Sequence, residues 1–350
     1  MYQTVRPWLF KMEPERAHEW TLRLIRLAGQ LPPVRGLLRA LFEVNDPRLE
    51  VSAFGLKFKN PIGLAAGYDK NGVAVAGLSA LGFGHIEIGT VTRRPQPGNP
   101  RPRLHRVSDA ALINSMGFPN VGASALKIDR AGDRSRIGVN IGKGKDTPLA
   151  QAAEEYAALF EDVHPLADYV AINVSSPNTL QIRRLQARDY LDDLLSQVAR
   201  ARDTLAPRKP VLVKIAPDLS EAEIDDVLAA IDLAGIDGLI ATNTTLGRGG
   251  VPDRCRDLKG GLSGSPLSAR STEVIRYVAR RTQGRLPIIG VGGIMDAAGA
   301  VEKLQAGATL LQLYTGLVYA GPSLVRDINR ALAYAGSAAA QPVLAAGGSR

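Results

Sequence analysis

ADYVAINVSSPN (residues 167–178) changes character midway. Tyr169, Val170, Ala171, Ile172 and Val174 form a short, apolar, partly β-branched run, the pattern of a buried strand. Asn173, Ser175, Ser176, Pro177 and Asn178 then crowd polar groups at its C-terminal end. Two readings stand at this point: a strand that presents a site, or a strand closed by an ordinary Ser-Pro-Asn turn.

Outward from this stretch the pattern recurs. Candidate strands are Ile62–Ala65, His85–Gly89, Ile137–Ile141, Tyr169–Val174, Val211–Ile215, Gly238–Thr242, Pro287–Val291 and Thr309–Leu313. Between and after them, 148–163, 186–205, 220–234, 296–306 and 322–334 carry helical patterns, the first three with apolar residues at three-and-four spacing. Ser220 with Glu223 three residues on is a helix-start signature. Eight β-α units predict an α/β chain closed into a (β/α)8 TIM barrel, with an open doubly wound sheet as the alternative. Long loops at 92–118, 175–186 and 243–270 are able to wall one face.

In such a barrel, chemistry sits where the strands end. Here the ends read Ala66-Gly-Tyr-Asp-Lys70, Gly89-Thr90, Asn140-Ile-Gly142, Asn173-Val-Ser-Ser176, Lys214, Thr242-Asn-Thr244, Gly292-Gly293 and Tyr314-Thr-Gly316. Glycines after the seventh and eighth strands suit a phosphate group, since backbone N–H groups can approach it there. Lys214 sits in the apolar run VLVKIAP, and a buried lysine is costly unless it meets an anion. A ligand that turns anionic on reduction, such as a flavin, is one such partner. Lys70 ends the first unit beside Asp69, where a surface ion pair is the other reading. Asn114, Asn140, Asn173, Asn178 and Asn243 each offer a donor and an acceptor, suited to a pyrimidine-like edge or simply to turns.

Composition narrows the rest. The chain has 350 residues, enough for one large domain or two medium ones. A single cysteine, Cys255, excludes an internal disulfide and a cysteine metal cluster. His18, His85, His105 and His164 show no ligand spacing, so no metal is expected. Net charge is +9, which favours anionic company, though no long basic block exists. The densest basic run, Arg93, Arg94, Arg101, Arg103 and Arg106, reads either as a ligand-facing patch or as a solvated face. No run approaches the roughly 18 apolar residues of a spanning helix, and the start lacks a secretory signal.

Residues 1–45 stand apart. A helix from Pro14 to about Gly29 and a shorter one, Val34–Phe42, hold both tryptophans near them, Trp8 and Trp20, with many leucines. They read either as a hairpin packed on the barrel or as an amphipathic pair in a membrane interface. Residues 46–335 form the barrel, and the small-residue tail 336–350 reads as disordered.

AAGYDKNG (65–72), EIGTVT (87–92), NSMGF (114–118), GVNIGK (138–143), NVSSPNT (173–179), VKIAPDL (213–219), ATNTT (241–245), GGLSG (260–264), IIGVGGI (288–294) and LYTGLVYAGP (313–322) together carry a resemblance. The chain resembles the class 2, membrane-associated, quinone-dependent dihydroorotate dehydrogenases of bacterial type, over about residues 1–335. The resemblance implies FMN, held by Ala66, Gly67, Tyr68, Asp69, Lys70, Thr90, Asn140, Asn173, Lys214, Thr242, Gly264, Gly293, Tyr314 and Thr315. It implies dihydroorotate on Lys70, Asn114, Ser115, Met116, Gly117, Phe118, Asn173, Asn178, Asn243 and Thr244. Ser176 matches the catalytic base, and Lys214 the cation beside the flavin. Electrons would pass to a membrane quinone arriving through residues 1–45, with the protein peripheral on the cytoplasmic side of the cell membrane and no nucleic-acid partner. Departures are Ser115 where the family has arginine, Pro119 where it has asparagine, and Leu180-Gln-Ile in the loop after Asn178.

Two other classes compete. A flavin barrel acting on tRNA uridines would account for the charge but needs a cysteine near the site. A non-catalytic phosphate-binding barrel tethered to membrane would account for residues 1–45, but not for Asn173, Ser176 and Lys214 together.

Overall fold

The computed structural model describes residues 2–108, 110–130, 135–179 and 181–336. Eight parallel strands close into a barrel: β1 (Ile62–Leu64), β2 (His85–Val91), β3 (Arg136–Ile141), β4 (Tyr169–Asn173), β5 (Val211–Ile215), β6 (Gly238–Ala241), β7 (Ile288–Val291) and β8 (Leu310–Leu313). Each pairs with its sequence neighbours, and β8 pairs back with β1. This is the (β/α)8 barrel, not the open sheet. Its strands are buried on both faces because helices cover the outside and side chains fill the inside, so they read as unbroken apolar runs.

The covering helices follow the expected spacing. Ser220 and Glu223 form a complete capping box at the start of Glu221–Leu233, and Asp296 caps Ala297–Gln305 by accepting from the Gly299 N–H. The barrel's N-terminal end is closed by a hairpin, Val51–Ala53 with Leu56–Phe58. Its Phe58 ring meets His85 edge-on at 5.6 Å. At the opposite end, Leu104–Ser108, Ala111–Asn114 and Gly261–Gly264 form a separate antiparallel sheet that walls the strand ends. That sheet lies inside stretches expected to be loops.

Three helices precede the barrel: α1 (Tyr2–Lys11), α2 (Pro14–Gln30) and α3 (Pro32–Phe42). Glu13 caps α2 by accepting from the Glu15 and Arg16 N–H groups, with Pro14 in the first turn. Gly29 lets α2 close on Gly77, whose backbone N would lie 2.3 Å from a Cβ there. The basic run is largely spent on this docking. Arg103 pairs with the buried Glu15 at 2.8 Å, Arg101 reaches Glu19 at 2.6 Å, and Arg106 donates to the Phe10 and Met12 carbonyls at the end of α1. Residues 337–350, most of the tail expected to be disordered, lie outside the described residues, as does Leu180.

Candidate active site

One cleft, about 1010 Å³ including its open mouth, lies at the C-terminal ends of the barrel strands. Every strand except β3 sends a residue into it. Ala65, Ala66, Gly67 and Lys70 follow β1, Thr90 lies in β2, and Asn173, Ser176 and Asn178 come from β4 and its turn. Lys214 comes from β5, Thr242, Asn243 and Thr244 follow β6, Gly292 and Gly293 follow β7, and Gln312, Tyr314 and Thr315 belong to β8 and its turn. The walling segments add Asn114, Met116, Gly117, Phe118, Ser263 and Gly264.

The fourth strand shows how the polar groups are set. Asn173 and Lys214 are Cα partners in the β4–β5 ladder, so pairing alone puts them side by side. Asn173 Nδ2 donates to Thr90 Oγ1 at 2.9 Å, and its Oδ1 accepts from Asn243 Nδ2 at 3.2 Å. The two serines divide. Ser175 is fully buried and takes a hydrogen bond from Asn243 Nδ2 at 3.0 Å, whereas Ser176 lines the cleft and, among the described residues, accepts only from the Asn178 N–H, at 3.2 Å. Asn178 Nδ2 donates to Asn114 Oδ1 at 3.1 Å, while its Oδ1 is buried without a partner. The residues first readable as turn formers are thus held by one another, with spare valence toward the cleft.

Lys70 Nζ donates to the Gly67 carbonyl at 2.7 Å, and burial pushes its ammonium down to about 8, against the pull of Glu15. It makes no surface pair with Asp69. That carboxylate turns inward and accepts from the Val73 and Ala74 N–H groups.

Lys214 does meet an anion, and the protein supplies it. Glu87, inside the barrel on β2, stands 3.7 Å away. Asn140 Nδ2 donates to Glu87 at 2.9 Å, Gln312 Nε2 at 2.8 Å and Tyr169 OH at 3.2 Å. Glu87 was legible only as an acid between two isoleucines in an otherwise apolar strand.

Of the residues expected at the site, Tyr68, Asp69, Asn140 and Ser115 do not line the cleft. Tyr68 packs between His18 and Tyr314. Asn140 lies a layer below, bonding Thr90, Asn173 and Glu87. Ser115 is engaged through its backbone, donating to the Arg103 carbonyl and accepting from Asn99 Nδ2, so its departure from arginine leaves the segment anchored.

Beyond the unusual loop, Arg183 Nε donates to the Ser175 carbonyl at 3.1 Å, Nη2 to the Thr244 carbonyl at 3.0 Å, and Nη1 to Asp218 at 2.8 Å. It ties together two segments that line the cleft, and sequence reasoning passed over it. Cys255 is half-buried away from the cleft. No cluster of metal-ligating side chains occurs among the described residues.

One end of the cleft suits a phosphate group. Gly292 and Gly293 have φ of 122° and 72°, and a Cβ on Gly293 would lie 2.5 Å from Ser268 Cα. Only glycine allows the backbone to fold there, and such a side-chain-free turn lets a phosphate approach backbone N–H groups. Near the barrel axis, Gln312 Oε1 is buried without a partner, a polar atom left for a ligand to satisfy.

A family model described as Dihydroorotate dehydrogenase matches residues 48–335. A protein named Dihydroorotate dehydrogenase (quinone) from Roseiflexus sp. (strain RS-1) is 48% identical over 337 residues, covering 95% of this chain and 93% of the relative. One of the same name from Cronobacter sakazakii is 50% identical over 335 residues, 93% of this chain and 98% of its own. The crystal structure of DHODH from Eimeria tenella in complex with ferulenol superposes with a TM-score of 0.82 at 33% identity, covering 93% of each chain.

Proposed function

The chain belongs to the dihydroorotate dehydrogenase family, and from that premise we propose how its residues oxidise dihydroorotate to orotate. The reaction belongs to pyrimidine biosynthesis and has a quinone as acceptor. The observation that carries the assignment is the convergence of Ser176, Lys214, Lys70 and four asparagine amides on one cleft beside a glycine turn.

We infer that the cofactor is FMN. The donor set fits it: a glycine turn for the phosphate, a buried cation, and the unpartnered Gln312 Oε1 near the axis. Ala66, Gly67, Thr90, Asn173, Lys214, Thr242, Gly264, Gly293, Tyr314 and Thr315 would hold it. When bound, FMN supplies the hydride acceptor.

The chain's own residues do the rest. Lys70, Asn114, Asn178, Asn243 and Thr244 bind and orient the substrate, the lysine answering its carboxylate and the amides its ring edges. Ser176 removes the C5 proton, which the neighbouring carbonyl acidifies. Serine is a weak base, so this works only where water is excluded and the proton has an onward path. Lys214 holds positive charge where negative charge builds.

We further propose that α1–α3 lie on the cytoplasmic face of the cell membrane and admit the quinone. Trp8, Leu27, Leu31 and Leu37 are each more than half exposed there, a tryptophan-and-leucine face suited to a lipid interface. No helix among the described residues is long and apolar enough to cross a membrane.

The test is direct. Purified protein should be yellow, bleach on anaerobic addition of dihydroorotate, and stay yellow with NADPH. Colourless protein, or bleaching by NADPH alone, would refute the reading.

A further inference from the structure

Lys303 lies on the helix Ala297–Gln305 and has no exposed surface. Its ammonium donates to the Ser268 carbonyl at 3.3 Å, Ser271 Oγ at 3.1 Å and Thr272 Oγ1 at 3.0 Å. All three acceptors are uncharged, and Lys303 makes no ion pair among the described residues. Its neighbour Glu302 is exposed and makes no ion pair with it, and its carboxylate offsets the burial of the ammonium only in part.

Two costs meet at this point. A buried ammonium surrounded only by neutral oxygens is poorly compensated. The acceptors also belong to the first five residues of the helix Ser268–Arg281, whose N-terminal end is itself positive. Burial pushes the Lys303 ammonium down to about 8. A methionine would fill the same space without either cost. An anion near the start of that helix offsets both.

The cleft offers a place for it at the Gly292–Gly293 turn. Ser268 and Ser271, which hold Lys303, are also the residues against which the Gly292–Gly293 turn packs. A Cβ on Gly293 would lie 2.6 Å from Ser268 N, and one on Gly292 would lie 3.0 Å from Ser271 Cβ. Ser271 Oγ, which accepts from Lys303, donates to the Val291 carbonyl at 2.6 Å. Lys303, Ser271 and the glycine turn are thus successive layers behind the cleft.

We propose that Lys303 is a buried cation that draws the phosphate group of FMN to the Gly292–Gly293 turn. It does not touch the ligand. It is a positioning residue that acts by its charge and by holding Ser271 under the turn. The inference rests on the flavin reading above.

FMN and riboflavin differ only by the phosphate, so their comparison isolates the effect. The full-length protein is stripped of flavin and titrated with each, reading the quench of flavin fluorescence, for the wild type, Lys303→Gln and Lys303→Met. The variants should lose roughly tenfold or more of FMN affinity, the size of effect a single charge gives at an effective dielectric near 20. Their riboflavin affinity should stay within about twofold, as for a change that leaves the ring site intact. An unchanged FMN-to-riboflavin preference would overturn the proposal. So would a parallel loss of both affinities, or the failure of both variants to fold, either of which makes Lys303 a structural staple. A wild type that binds neither flavin refutes the flavin reading itself, which is a distinct result.

Discussion

Glu87 Oε1 lies 3.7 Å from Lys214 Nζ inside the barrel, with Lys214 6% and Glu87 0% exposed. The two charges answer each other just below the cleft, so neither can be removed alone without leaving the other uncompensated. Lys214→Met should therefore cost about 3–5 kcal/mol of stability as well as dihydroorotate turnover. Adding Glu87→Gln should restore about 1–3 kcal/mol and leave turnover lost. Urea unfolding of the single and double variants separates the two roles. If the double variant is no more stable than Lys214→Met, the pair is not coupled.

Ser176 and Ser175 should respond in opposite ways. Ser176→Ala gives up the bond from the Asn178 N–H but leaves the Asn173–Ser175–Asn243 network in place, and should retain flavin while slowing its reduction by dihydroorotate about 10²–10⁴-fold. Ser175→Ala removes a partner from Asn243 and Asn173 and should cost about 1–3 kcal/mol of stability. Stopped-flow bleaching and thermal unfolding measure the two. A Ser176→Ala enzyme that bleaches at near-normal rate removes Ser176 from the role of base.

Arg183 spans the Ser175 carbonyl, the Thr244 carbonyl and Asp218. A lysine cannot reproduce that fork. Arg183→Lys should lower kcat/KM for dihydroorotate by up to roughly a hundredfold, since small misplacements of catalytic groups cost that much. FMN content should hold. Unchanged kcat/KM would mean the loop is positioned without it.

What could be read in advance follows from burial. Strands covered on both faces must be apolar throughout, so the eight barrel strands stood out as runs, and their polar ends stood out against them. The antiparallel wall did not, because its short hairpin, Leu104–Ser108 with Ala111–Asn114, is completed by Gly261–Gly264 pairing on Ala111–Asn114 from far along the chain. Local alternation carries no trace of such a partner. Glu87 was missed for a related reason: a lone charge in an apolar segment shows that something compensates it, not what, while Lys303, beside Glu302 on a helix, reads as one of an ordinary surface pair. The arginine run misled differently. Composition cannot tell a solvated guanidinium from Arg103, which is clamped on Glu15 and on the Pro97 and Asn99 carbonyls.

The N-terminal face gives a prediction about lipid. Trp8 is 70% exposed and Leu27 56%, so replacing both with glutamate should shift stability little, within about 0.5 kcal/mol each. The double variant should stop sedimenting with anionic lipid vesicles and lose turnover with a long-chain quinone, while bleaching by dihydroorotate stays normal. Sedimentation equal to that of the wild type would refute the membrane contact.

His85 makes stability depend on pH in a direction that can be worked out. Its ring is fully buried against Phe58 and Tyr169, neither ring nitrogen has a partner, and burial alone pushes its pKa down to about 3. The unfolded chain takes up a proton near the ordinary value of about 6.5, and the fold refuses it. Above that pH both states are neutral and nothing is lost. Below it the unfolded state binds more protons, so stability falls by about 1.36 kcal/mol per pH unit, or about 2 kcal/mol by pH 5. The decline should flatten only near pH 3. His85→Met removes the titrating group, so its urea midpoint should fall less steeply between pH 7 and 5 than that of the wild type. Parallel slopes would show that the imidazole is protonated within the fold, and that the barrel floor is wetter than its packing implies.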